Sequence, residues 1–95
     1  MVDILLEEKE TQSVHHYCVA TDTHRYDFTV IYSNYFYGKA MVVSIQTERM
    51  VLMCQEDIGN DSNWANKLGI KENDLDSCKS FFQIILNPKQ FSNQY

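Results

Sequence analysis

The sequence predicts an α+β fold in which an antiparallel four-stranded meander is followed by two C-terminal helices packed on one sheet face. Two observations lead to this prediction. Three runs within residues 14–46 place their side chains on two faces with the period of two that is typical of β-strands, and residues 50–54 form a short, largely apolar strand. From residue 55 onward, apolar side chains recur with the helical period instead. A length of 95 residues, 44% of them hydrophobic, suits one core. We therefore predict a single domain over residues 1–95 with an ordered core at about 14–86.

Short polar segments separate the predicted strands. Asp and Thr side chains follow the first strand, Asn and Gly precede the third, and a Thr-Glu-Arg turn precedes the fourth. Such short links join neighbouring antiparallel strands, which favours a meander. The two ends of the chain are predicted to be loosely held, with residues 4–6 as an optional extra edge strand. The four predicted strands comprise residues 14–21, 25–33, 39–46 and 50–54. The predicted core face of the second strand carries Tyr26, Phe28, Val30 and Tyr32.

The first predicted helix follows the last strand. Asn60 or Asp61 can cap it, and it carries Trp64 and, four residues later, Leu68. Gly69, followed by an isoleucine, is typical of a helix that ends at a glycine. These positions predict a short helix with one apolar side.

The second predicted helix begins at Asn73 or Asp74. The helix dipole favours acidic side chains in its first turn, and the sequence supplies them there. An apolar stripe at helical spacing follows, and Asn87 with Pro88 ends the helix. The residues of this stripe are Leu75, Cys78, Phe82 and Ile85.

Composition excludes several classes of function. Thirteen acidic against eight basic residues give a formal charge of −5, which repels phosphate backbones and anionic lipid surfaces, so no nucleic-acid partner is expected. The chain has no apolar run of about 18 residues, so we expect no membrane span. It has no basic leader, so we expect no secretion signal. Three cysteines are an odd number at wide spacing, which favours a reducing cytoplasm. No sequence motif for a nucleotide, dinucleotide or other cofactor occurs, so we expect none.

Metal-ligand side chains cluster in the first predicted hairpin, and a metal sensor on His16 and Cys18 is one hypothesis. Yet His15 and His16 must point to opposite faces of a strand, and paired Cys-x-x-Cys elements are absent. A cysteine nucleophile is disfavoured as well, because Cys18 and Cys54 lie neither in a glycine-rich turn nor at a helix N-terminus. We therefore predict no metal site and no catalytic residue. The clustered side chains are His15, His16, Cys18 and His24.

Aromatic side chains concentrate in the second predicted strand and in the connector after it, where residues 26–37 hold half of the aromatic residues of the chain. Three consecutive aromatic residues in a connector cannot all enter the core, so at least one is expected to be exposed or covered by a partner. Tyrosine is enriched at protein interfaces. We therefore predict a protein–protein interaction or regulatory module, non-enzymatic and acting on an unknown partner or by self-association. The residues of this predicted site are Tyr35, Phe36, Tyr37, Gly38 and Lys39.

An alternative hypothesis places a small anionic ligand, or an enzyme active site, near the same aromatic residues. Arg25, Asp27 and Lys39 flank the aromatic segment and could orient such a ligand. This hypothesis requires that the three side chains converge on one concave site.

The chain also resembles a known family through Arg25-Tyr26-Asp27-Phe28, the later Phe36-Tyr37-Gly38-Lys39, and Arg49 before an apolar strand. The family is an uncharacterised one of small cytosolic proteins from Firmicutes, and the resemblance covers residues 14–86. It implies a bacterial cytoplasmic protein and supplies no activity, cofactor or catalytic residue.

Overall fold

The computed structural model describes residues 1–87 of the chain. The predictions made for residues 89–95 and for Pro88 lie outside the described residues. Four strands and one α-helix are present in the described range, together with four short 3-10 helices. The strands and the helix are β1 (Ser13–Ala20), β2 (Arg25–Tyr32), β3 (Ala40–Ser44), β4 (Met50–Met53) and α1 (Leu75–Ile85). The 3-10 helices are Asn34–Phe36, Gln55–Asp57, Asp61–Asn63 and Glu72–Asp74.

The strands form one sheet in the order β1-β2-β3-β4, and each pairs antiparallel with its neighbour. The predicted four-stranded meander is therefore confirmed. At one end of the sheet, Ser13 pairs with Tyr32, Tyr32 with Ala40, and Ala40 with Met53. Because pairing residues share a face, this register places all buried strand residues on one side, here called the covered face.

Helix α1 packs across the covered face and completes a two-layer α+β domain. The Phe82 ring lies 5.4 Å from the Phe28 ring and 5.3 Å from the Trp64 ring, measured between centroids. Near the C-terminal end of α1, the Tyr32 hydroxyl donates a 2.7 Å hydrogen bond to the Ile85 carbonyl. The predicted stripe is confirmed, since Cys78, Phe82 and Ile85 are buried and Leu75 packs against the core. The predicted core face of β2 is buried throughout.

The first of the two predicted helices is not a regular helix, and this is the main difference from the predicted fold. The 3-10 helix Asp61–Asn63 passes into irregular turns that extend to Gly69. The segment is too short for a stable helix and is rich in Asn, Asp, Ser and Gly, which are poor helix formers. Tertiary packing sets its shape instead, because Trp64 and Leu68 are both fully buried.

The glycine-terminated end of this segment is nevertheless present. The Ile70 N–H donates to the Ala65 carbonyl at 2.9 Å, and the Gly69 N–H donates to the Asn66 carbonyl at 3.1 Å. This pair of bonds defines a Schellman motif, and Gly69 has the positive φ of +69° that the motif requires. The predicted glycine stop is correct although the preceding residues are irregular.

Two smaller predictions differ from the structure. Residues 1–12 form no strand, so residues 4–6 do not extend the sheet. The third strand ends at Ser44 instead of residue 46, because the Ser44 N–H bonds the Arg49 carbonyl at 2.9 Å and closes a turn. Glu48 adopts a left-handed φ of 62° within that turn.

Gly69→Ala should destabilise the fold. A Cβ at this position would lie 2.6 Å from the Thr47 Cγ2 atom, and the left-handed backbone disfavours any L-side chain. The backbone cost alone is about 1–2 kcal/mol, and the clash adds to it. Urea unfolding of the single variant and of the same change in a Thr47→Ser background measures both contributions, since serine lacks Cγ2 but keeps the hydroxyl that bonds the Lys67 carbonyl. Equal costs in the two backgrounds would contradict the clash.

Candidate functional site

The aromatic connector, residues 33–38, is a compact and internally bonded turn. Ser33 is buried, and its Oγ accepts a 3.1 Å hydrogen bond from the Tyr35 N–H while its carbonyl accepts one of 3.2 Å from Phe36. The Lys39 N–H donates to the Phe36 carbonyl at 3.0 Å and closes the segment. The Ser33 hydroxyl also donates to the Glu10 carboxylate. The backbone of the connector is thus held by local bonds at both ends.

The side chains of the aromatic connector differ in exposure. Tyr37 is 93% exposed and Tyr35 is 44% exposed, whereas Phe36 is half-buried. Tyr37 adopts a left-handed φ of 55°, which is uncommon for a residue other than glycine, and Gly38 follows at 79°. The fold therefore displays the Tyr37 ring to solvent on a turn whose backbone geometry is constrained.

The sheet face opposite α1, here called the open face, carries an apolar row next to the aromatic connector. Val14 pairs with Ile31, Ile31 with Met41, and Met41 with Leu52, so one apolar side chain from each strand forms the open-face row. Val14 is 48% exposed and Leu52 is 43% exposed, and the two central residues are partly exposed. The row lies close to the aromatic connector, because Ile31 precedes the connector by two residues on β2 and Met41 follows it by three residues on β3.

The charged residues of the alternative hypothesis do not meet. Arg25 donates a 3.1 Å hydrogen bond to Asp27, and Asp27 also accepts one of 2.7 Å from the Gln46 amide. Lys39 pairs instead with Asp57, at 2.9 Å between Nζ and Oδ2. Asp27 lies five residues from the end of β2 that adjoins Lys39, which corresponds to about 17 Å of strand. The two ion pairs therefore occupy opposite ends of the sheet.

His16 and Cys18 share the open face, as their spacing predicts, and line a shallow depression of about 430 Å³ together with Asp27, Thr29 and other residues. The His16 Nδ1 atom lies 2.9 Å from the Thr29 hydroxyl, and Cys18 pairs across the strands with Asp27. Among residues 1–87, no group of three or more His, Cys, Asp or Glu side chains has a geometry suited to a metal ion.

Sequence reasoning missed the Asp74 cluster, the most densely bonded polar group in the described chain. Asp74 is buried, and its carboxylate accepts hydrogen bonds of 2.6 Å from Thr23, 2.7 Å from His24 and 2.7 Å from Tyr26. The Tyr26 hydroxyl in turn accepts a bond of 3.1 Å from the Lys71 N–H. These contacts join the turn between β1 and β2 to the start of α1. The sequence signal was limited to Asp74 as a helix-opening acid, because its partners lie about 50 residues earlier.

The Asp74 cluster holds its carboxylate ionised. Desolvation by burial raises the pKa of Asp74, but hydrogen bonds from Thr23, Tyr26 and neighbouring groups outweigh it and leave the pKa well below its usual range. Burial raises the pKa of the Tyr26 hydroxyl, which therefore stays protonated and donates its bond to the carboxylate. The cluster is a fixed anion with satisfied bonds, and this arrangement suits a structural connection better than proton transfer.

The family comparison covers most of the chain. A family model described as SAV0927-like matches residues 5–84, which include every strand and nearly all of α1. No curated protein matches the chain. In the described part of the chain, no helix combines the length and the apolar character needed to span a membrane.

Asp74→Asn should change the pH dependence of stability. The pKa of Asp74 is lowered on folding, so its contribution is fully present above the unfolded pKa of about 3.9 and is lost as pH falls below it. Urea midpoints from about pH 7 to about pH 3 measure this effect. The variant should be less stable at neutral pH and should lose less stability on acidification. Parallel profiles for the two proteins would contradict this role.

Proposed function

We propose that this chain, which belongs to the SAV0927-like family, is a non-enzymatic protein-interaction or regulatory module of the Firmicutes cytosol. The proposed binding surface combines the open-face row with the two exposed tyrosines of the aromatic connector. It would receive an apolar patch of a partner protein. The observation that carries the proposal is the apolar row, which crosses all four strands on the face that α1 does not cover.

Magnitudes show why both parts of the surface are required. Burying a fully exposed Ile, Leu, Met or Val side chain contributes about 1.5–3 kcal/mol. Two side chains of the row are just under half exposed and two are less exposed, so the four together contribute less than about 3–6 kcal/mol. Association costs about 4 kcal/mol or more in lost translational and rotational freedom. The row alone therefore binds weakly at best. Aromatic anchors commonly contribute about 2 kcal/mol or more each, and the connector supplies two at the same end of the sheet.

The rigid backbone of the aromatic connector supports the same proposal. Tyr37 stands in a left-handed conformation between the bonded Phe36 carbonyl and Gly38, so little backbone freedom remains to be lost on binding. Uncommon backbone conformations of this kind concentrate at binding and switch sites. The Lys39–Asp57 ion pair lies beside the connector and offers a polar rim, which is the usual border of an apolar interface.

The alternative, an anionic-ligand site or enzyme built on Arg25, Asp27 and Lys39, has no geometry in its favour. The two cations are already paired with carboxylates, and they lie at opposite ends of β2 and β3. A common anion could not contact both.

Tyr37→Asn tests the proposal, because asparagine tolerates the left-handed backbone and removes the ring. Tyr37→Phe is the matched control that keeps the ring, and Leu52→Thr tests the open-face row with a residue of good strand propensity. A protein captured by the immobilised chain is identified by mass spectrometry and then titrated in purified form by calorimetry. Tyr37→Asn should weaken binding at least about tenfold, Leu52→Thr should weaken it several-fold, and Tyr37→Phe should bind as the unchanged chain does.

Unchanged affinity for both Tyr37→Asn and Leu52→Thr would overturn the proposed surface. A chain that captures no protein under any condition would overturn the proposed function itself. Circular dichroism and urea midpoints of each variant confirm that the fold is intact before the affinities are compared.

A further inference from the structure

Strand β1 is an edge strand without the protections that edge strands usually carry. It comes first in the sheet order, spans eight residues and pairs on one side with β2. Its sequence, SVHHYCVA, contains no Lys, Arg, Asp, Glu, Pro or Gly. Natural edge strands are commonly short, bulged, charged or interrupted by proline, because an unprotected edge pairs with other chains. The opposite edge, β4, has only four residues.

The hairpin turn determines which backbone groups of β1 point outward. The Thr21 N–H bonds the His24 carbonyl at 2.8 Å, and every second pair along an antiparallel ladder exchanges hydrogen bonds. The residues at odd positions of β1 therefore bond β2. The N–H and C=O groups at the even positions, namely Val14, His16, Cys18 and Ala20, point to the free edge.

From this edge we infer that two copies of the chain associate by antiparallel pairing of β1 with β1 of the second copy. A two-fold axis passes between the two Tyr17 residues, so Val14 of one copy faces Ala20 of the other and His16 faces Cys18. All four outward-facing residues then exchange hydrogen bonds, which gives about eight main-chain bonds. Stable interfaces carry about ten, with a range of about five either way. The two sheets become one continuous sheet of eight strands.

The helix layer supports the same partner. Phe81 contacts Tyr17 at 5.2 Å between ring centroids, so the Phe81 side of α1 faces the β1 edge. Ile84 lies three residues later on that side and is 69% exposed. A two-fold axis perpendicular to the sheet places both helices on the same face and brings the two Ile84 side chains toward one another. The same association therefore pairs strands in the sheet layer and brings apolar side chains together in the helix layer.

The composition of β1 is also compatible with the pairing of two copies. Near the axis the two copies of each β1 residue approach one another, so a charged side chain there would meet its own copy and be repelled. The absence of Asp, Glu, Lys and Arg from β1 removes that repulsion along the whole strand.

His16→Pro tests the association through the backbone. Proline removes one outward N–H and blocks the edge, and edge strands tolerate it because that N–H does not bond the neighbouring strand. His16→Val is the matched control, since both variants lose the contact with Thr29 but valine keeps the N–H. Light scattering from micromolar to millimolar protein should give the mass of two chains for the unchanged protein and for His16→Val, and of one chain for His16→Pro. A monomeric unchanged protein, or a dimeric His16→Pro, would overturn the inference.

Cysteine cross-linking tests the register, and it stays informative if His16→Pro does not fold. In a Cys18→Ser background, Tyr17→Cys places two thiols across the axis at a pair separation of about 4.5 Å between Cα atoms, which a disulfide can span. Val19→Cys is the control, because its two copies lie about 13 Å apart along the strands. Mild oxidation should link the Tyr17→Cys protein and leave the control unlinked. Linking of both, or of neither, would reject this register.

The association does not rest on the proposed partner surface. Tyr37→Asn and Leu52→Thr should leave the light-scattering mass unchanged, and His16→Pro should leave the affinity of a single copy for a captured partner unchanged. Each proposal can therefore fail while the other stands.

Discussion

The packing of one helix against one face of the sheet is the contact on which the other features depend. Every second residue of β2 is buried against α1 and the turns that precede it, with Phe28, Phe82 and Trp64 at the centre. The described part of the chain contains one α-helix, and this helix covers one face of the sheet. No second helix layer covers the open face in the described part of the chain, so the apolar side chains of the open-face row remain partly exposed.

The Asp74 cluster adds polar contacts to this apolar packing, at the end of the domain where the β1–β2 turn meets the start of α1. Apolar packing is not directional, so it sets the separation of the layers more firmly than the angle between them. The hydrogen bonds from Thr23, His24 and Tyr26 to one carboxylate are directional, and they connect the β1–β2 turn to the first residues of α1. The start of the helix is thereby held over the turn while its C-terminal end is held through Tyr32 and Ile85.

Much of the fold could be predicted from the sequence because its causes are local. The alternation of the first three strands, the apolar run of β4, the stripe of α1 and the stop at Gly69 each depend on residues within one element. Residues 61–69 could not be predicted, because Trp64 and Leu68 at helical spacing are equally compatible with irregular turns that bury both side chains. The Asp74 cluster could not be predicted for a related reason, because the hydrogen-bond partners of Asp74 lie about 50 residues earlier in the sequence. The sequence predicts that at least one of Tyr35, Phe36 and Tyr37 is exposed or covered by a partner, but it does not indicate which one. The left-handed backbone of Tyr37 is not predicted.

The cysteines carry a consequence for how motions of this domain can be followed. Cys78 lies on the buried stripe of α1, and desolvation raises the pKa of its thiol to about 11, whereas Cys18 is exposed on the open face. A thiol that is both inaccessible and protonated reacts with an alkylating reagent only after the helix separates from the sheet. The rate of Cys78 labelling thus reports the opening of the two layers, and Cys18 in the same molecule provides the reference for a thiol that needs no opening.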